Sequence, residues 1–123
     1  MKRFGWIMLL GGALACEGNA DPGVLKVNLA TPNSGGDAAI LLIVNGPAAL
    51  LSAAPGAGLR LFAQPPAAAS HMALTGTLRT GTILTIEVPD VSKASAYTAT
   101  IQQVATPTYQ LRTLTGYSLR IVP

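Results

Sequence analysis

From Val24 onward, apolar and polar residues alternate with a period of two, and the alternation restarts after each short run of turn formers. In Val24–Ala30, Leu25, Val27 and Leu29 fall on one side and Lys26 and Asn28 on the other, the spacing of a half-buried strand. Thr31–Asp37 (TPNSGGD) is a turn, and Ala38–Val44 (AAILLIV) is a continuous apolar run that predicts a central strand covered on both faces. Leu59–Ala63 alternates again. Met72–Leu78 and Thr82–Val88 flank Arg79-Thr80-Gly81, which predicts a hairpin; in its second arm Leu84, Ile86 and Val88 share a face. Further strands are expected over Ala96–Val104, with Tyr97, Ala99, Ile101 and Gln103 on one face, over Thr108–Leu114, and over Tyr117–Val122. Pro89–Ser95 is a longer connection. Ala48–Ala54 fits either a turn or two of helix or a short strand. Ala67–His71 has no assignment, because its alanines favour helix while the flanking prolines favour a loop.

No segment carries a sustained 3.6-residue period, and no internal repeat marks a solenoid or propeller. Seven to nine short strands, spaced at about 8–12 residues, predict an all-β chain folded as an antiparallel β-sandwich. An immunoglobulin-like or cohesin-like sandwich is the architectural analogy. The immunoglobulin hallmarks are missing, since the only tryptophan is Trp6 and the only cysteine is Cys16. Residues 24–123 are expected to form this single domain.

Before the first predicted strand the pattern changes. Lys2 and Arg3 precede the apolar run Phe4–Leu14, whose 11 residues fit the hydrophobic region of a signal peptide. The run is too short for a hydrocarbon core about 30 Å thick. It closes on Ala13-Leu14-Ala15-Cys16, which resembles the lipobox of bacterial lipoprotein precursors, with Ala13 where that family most often has leucine. The resemblance implies a signal peptide over residues 1–15, cleavage between Ala15 and Cys16, and lipidation of Cys16. Residues 16–23 then form the lipidated cysteine and a short tether (EGNADPG), holding the protein to the membrane through its acyl chains. Glu17 is not the aspartate that the family associates with inner-membrane retention, so the outer membrane is implied in a host with two membranes. Without lipidation the same leader predicts a secreted protein.

Composition narrows the function classes. The chain has 123 residues, 8 basic and 5 acidic, for a net charge of +3. Loss of Lys2 and Arg3 with the leader leaves six basic residues scattered singly against five acids. Nucleic-acid binding needs clustered positive charge, and it is not expected here. A lone cysteine leaves no intramolecular disulfide to form. Only 11% of residues are charged, so the surface must be polar mainly through Thr, Ser, Gln and backbone, with strand edges that need protection.

The residues that could carry chemistry are few. His71, the only histidine, has no neighbouring metal-ligand or triad partners in the sequence, since adjacent Ser70 points the opposite way in an extended chain. The acids Glu17, Asp21, Asp37, Glu87 and Asp90 lack ligand spacing, and turn roles are expected for them, Asp90 in particular. The glycine-containing stretches PNSGGD and PGAG match no phosphate-binding loop. Tyr97, Tyr109 and Tyr117 are candidates for ligand contact; alternatively they pack the last strands, with Tyr117 a corner residue whose hydroxyl ties down a loop. The expected function is that of a lipid-anchored cell-envelope β-sandwich with a non-catalytic binding or structural role. No cofactor or metal is expected, and an envelope protein or a glycan is the expected partner. The alternatives are an envelope enzyme with a scattered His/carboxylate site, or a secreted self-assembling matrix or pilus-like subunit.

Overall fold

The computed structural model describes residues 21–63 and 69–123, so the leader, Cys16 and most of the tether lie outside the described residues. Among the described residues, eight strands form two four-stranded antiparallel sheets. They are β1 (Gly23–Ala30), β2 (Asp37–Asn45), β3 (Ser52–Pro55), β4 (Arg60–Ala63), β5 (Ala69–Leu78), β6 (Gly81–Val88), β7 (Thr98–Ala105) and β8 (Ser118–Val122). One sheet has the order β3-β6-β1-β8 and the other β4-β5-β2-β7. The chain is an all-β sandwich.

Every connection except β4–β5 passes from one sheet to the other. The expected hairpin across Arg79-Thr80-Gly81 is therefore absent: β5 pairs with β2 and β4, and β6 pairs with β1 and β3. The turn residues are real, but both arms carry a buried apolar face. Those faces are buried better by opposing each other across the core than by lying side by side.

The core is where the two inner faces meet. Leu25, Val27, Leu29, Leu84, Ile86 and Val88 from one sheet lie in the same buried cluster as Ile40, Leu42, Val44, Met72, Leu74 and Val104 from the other. Each such side chain contributes roughly 1.5–3 kcal/mol when withdrawn from water. Three bulges interrupt the ladders, one of them between Asp37 and Ala39 in the β2–β5 pairing, and the other two correct the simple alternation. The β1–β6 register shifts between Val27 and Asn28, and both Ile83 and Leu84 are buried. The β2–β7 register shifts between Leu41 and Leu42, so Gln102 and Gln103 are both exposed and Val104, not Gln103, points inward. An extra residue in one strand reverses the faces beyond it, which is why alternation predicted the wrong residue there.

Three other expectations change. The central strand β2 is not covered on both faces: Leu41 is 39% exposed and Ile43 only half-buried. Thr108–Leu114 is not a strand but part of the long β7–β8 connection, touching the sheet through a single bridge from Leu111 to Ala105. Its alternation lacks a partner strand to cover it, and Tyr109 and Leu111 stay in solvent at 93% and 65% exposure. Of Ala48–Ala54, only Ser52 onward is strand.

Antiparallel pairing gives the sandwich two poles. Gly23 pairs with Val88, and Asn45 with Ala69 and Thr98, at one pole. Ala30 pairs with Ser118, and Asp37 with Leu78, at the other. The Asp37 pole carries the loops 31–36, 56–59, 79–80 and 106–117. The Gly23 pole carries 46–51 and the 3-10 turn Val91–Ala96.

At the Gly23 pole, Tyr97 is 4% exposed and the Cδ2–Cε2 edge of its ring lies against Gly46. A Cβ at Gly46 would collide with Tyr97 Cδ2 and Cε2, so no larger residue fits without displacing a core ring. Gly46→Ala is expected to lower stability by about 1–3 kcal/mol in urea denaturation, as overpacking does, and Tyr97→Leu in the same chain to return part of that loss.

Candidate functional site

The sequence-predicted site residues do not converge. Ala15 and Cys16, the cleavage and lipidation positions, lie outside the described residues. Tyr97 is core and Tyr117 is half-buried at the Asp37 pole; of the three tyrosines only Tyr109 is exposed, so no strip of three rings forms. His71 is exposed on the outer face of the β4-β5-β2-β7 sheet, opposite Ile43. It lines an open depression of about 400 Å³ with Leu41, Phe62, Ala63, Met72, Ala73 and Gln102, and no carboxylate is among these residues. Phe62 is 54% exposed, with the Arg60 guanidinium 5.8 Å from its ring centroid. Glu87 belongs to the other sheet and accepts a hydrogen bond from the Ser52 hydroxyl at 3.0 Å. Among the described residues no three His, Cys, Asp or Glu side chains gather as a metal site.

Asp90 does shape a turn. It caps the 3-10 turn, its carboxylate accepting from the Ser92 hydroxyl at 2.6 Å and the Ser92 N–H at 3.0 Å. The Ser92 hydroxyl, ahead of the backbone contacts and Lys93, holds the Asp90 carboxyl below the usual carboxylate range. The cap therefore stabilises the fold fully above the ordinary aspartate pKa of about 3.9, and that contribution fades as pH falls through the lowered value.

The most constrained polar group is Asp37, the first residue of β2 and 2% exposed. Arg112 Nε donates to Asp37 Oδ1 at 2.8 Å, and the Tyr117 hydroxyl donates to Oδ2 at 2.6 Å. Asn33 Nδ2 donates to the Tyr117 hydroxyl at 2.9 Å, and the Thr31 hydroxyl donates to Asp37 Oδ2 at 3.5 Å. The hydrogen bond to Asp37 raises the Arg112 pKa above its ordinary value. One buried carboxylate thus joins the 31–36 turn to the 106–117 loop. Tyr117 is the corner residue that its place after Gly116 suggested. Arg112 gave no such signal, because its partner is 75 residues away.

This clamp leaves two features in solvent at the Asp37 pole. Tyr109 has a positive φ of 66°, the only such residue besides glycine among those described. Thr106 holds it there: the Tyr109 N–H donates to the Thr106 carbonyl at 3.0 Å, and the Thr106 hydroxyl accepts from the N–H groups of Thr108 and Gln110. These turn hydrogen bonds hold the exposed ring in a backbone conformation that costs a non-glycine residue on the order of 1–3 kcal/mol. Beside the 31–36 turn runs a groove of about 360 Å³ lined by Ala57, Gly58, Thr77, Arg79, Thr80 and Gly81, among others. Its floor includes buried Ile83.

The chain matches no family model, no curated protein and no solved structure.

Two outcomes test the polar geometry. Tyr117→Phe removes a donor from a buried carboxylate and is expected to cost about 1–3 kcal/mol in chemical denaturation. Ser92→Ala is expected to raise the Asp90 pKa toward its ordinary value, read by NMR titration of the side-chain carboxyl.

Proposed function

We propose that this chain is a lipid-anchored cell-envelope module that works by binding rather than by catalysis. The observation that carries the reading is the spacing between the lipobox-like cysteine and the folded domain. Strand β1 opens at Gly23, seven positions after Cys16. Seven extended residues reach at most about 25 Å, so an acyl anchor on Cys16 would keep the Gly23 pole within that reach of the membrane, with the Asp37 pole at the far end of the sandwich.

The chemistry of the described residues supports binding. His71 and the acids are distributed over different surfaces, and Asp37 is already engaged by Arg112 and Tyr117. The outward pole carries instead a held aromatic ring and a polar groove, features that suit recognition of an envelope glycan or protein.

The test is metabolic labelling with a fatty acid in a bacterial host, comparing the native chain with Cys16→Ala and with the lipoprotein signal peptidase inhibited. Label that disappears in the variant, together with precursor accumulation under the inhibitor, is the expected result. An unlabelled native chain released to the medium would overturn the anchored reading in favour of a secreted protein.

A further inference from the structure

The groove at the Asp37 pole holds a guanidinium without a counterion. Among the described residues the single ion pair is Arg112–Asp37, and no carboxylate lies within reach of Arg79. Arg79 is nevertheless placed rather than left loose. The carbonyl before it, on Leu78, accepts from the Gly35 N–H at 2.7 Å. The N–H after it, on Thr80, donates to the Ser34 hydroxyl at 2.9 Å. Its Nη1 lies over Gly35, where a Cβ would stand 3.3 Å away and where φ is +86°, a conformation that favours glycine.

The surrounding wall is built of donors and small groups. Thr77 is exposed, and its hydroxyl has no hydrogen-bond partner among the described residues. In the turn closed by the Leu59 N–H and the Gly56 carbonyl, the N–H groups of Ala57 and Gly58 are likewise unpaired. Nothing stands within 4 Å of a Cβ built on Gly58 or Gly81, so the backbone is open to approach.

Charge is divided between the poles in the same sense. Asp21, Glu87 and Asp90 belong to the Gly23 half, by their places before β1, opposite Val24 and after β6, and Lys26 and Lys93 offset two of these three charges. Arg60, Arg79 and Arg120 belong to the Asp37 half, where the only acid, Asp37, is neutralised by Arg112. The outward half is therefore positive, which draws anions toward the groove.

We infer that the Arg79 groove binds an anionic polysaccharide, with Arg79 taking a carboxylate or phosphate of the chain and Thr77 and the 57–58 backbone taking neighbouring hydroxyls. A guanidinium meets either oxyanion in a two-pronged hydrogen bond, and sugar hydroxyls match exposed threonine and peptide groups. A peptide ligand is disfavoured because the groove offers no deep apolar pocket for side chains and its lining is mainly threonine, glycine and Arg79. The assignment rests on the binding-module reading above, but it is measured on purified protein, so failure of anchoring and failure of this site are separate results.

The experiment is calorimetric titration of the purified full-length chain in detergent with oligogalacturonate, with a glycerol-phosphate oligomer, and with neutral dextran of matched length. The expected result is binding of one or both anionic oligomers, weakened by salt, absent for dextran, and reduced about tenfold or more by Arg79→Gln. The preferred oligomer identifies the acid group. Lys93→Gln, which removes the same charge at the opposite pole, is expected to leave binding unchanged, and circular dichroism checks that each variant is folded. Equal loss in both variants, unchanged binding in Arg79→Gln, equal binding of dextran, or no binding at all would overturn the site. Tighter Arg79-dependent binding of poly-glutamate than of either oligomer would overturn its assignment to a glycan.

Discussion

The structure depends most on one buried carboxylate. Asp37 sits at the point where the chain leaves the 31–36 turn and enters the central strand of one sheet, and it is withdrawn from water. Its oxygens are met by Arg112, Tyr117 and Thr31, all from connections that cross between the sheets. A lone buried carboxylate is costly, and a satisfied one specifies geometry even where its net contribution to stability is small. Here it sets how the first and last crossings meet, and through them the shape of an entire pole.

That constraint matters because the topology relies on crossings. With β4–β5 the only connection within a sheet, the sandwich has little local hairpin structure to hold its ends. The clamp replaces it. The same loop also protects an exposed edge: β7 is the longest edge strand, and its far end is covered by the Leu111 bridge and by the Arg112 N–H donating to the Val104 carbonyl at 2.8 Å. The other edges are short, and β3 ends in Pro55. Short, proline-terminated or covered edges are the devices that keep a weakly charged β surface from adding strands to itself.

The two poles then differ in kind. One is closed by a core tyrosine against Gly46 and by the capped 3-10 turn after Asp90. The other spends its polar side chains on holding loops, and as a result presents Tyr109 and the Arg79 groove to solvent. Rigid loops on a rigid scaffold are where a sandwich carries recognition. On the proposed function, attachment would fall at the first pole and recognition at the second.

The sequence by itself determined the all-β class, the spacing of the strands, and the inward faces of β1 and β6, because burial of one face imposes a period of two that is visible residue by residue. It also marked Asp90 and Tyr117 as turn and corner residues, since their partners lie close by or their place after Gly116 is telling. Tertiary structure alone decided the rest. Whether Met72–Leu78 and Thr82–Val88 pair or face each other depends on what covers them, which alternation does not encode. The bulge that turns Gln103 outward and Val104 inward arises from the register between β2 and β7, not from either strand. The Asp37–Arg112 pair spans 75 residues. The Arg79 groove is assembled from two connections, 56–59 and 79–80, that only the packing of the two sheets brings together. Local periodicity records which residues seek burial, and long-range packing chooses which of them meet.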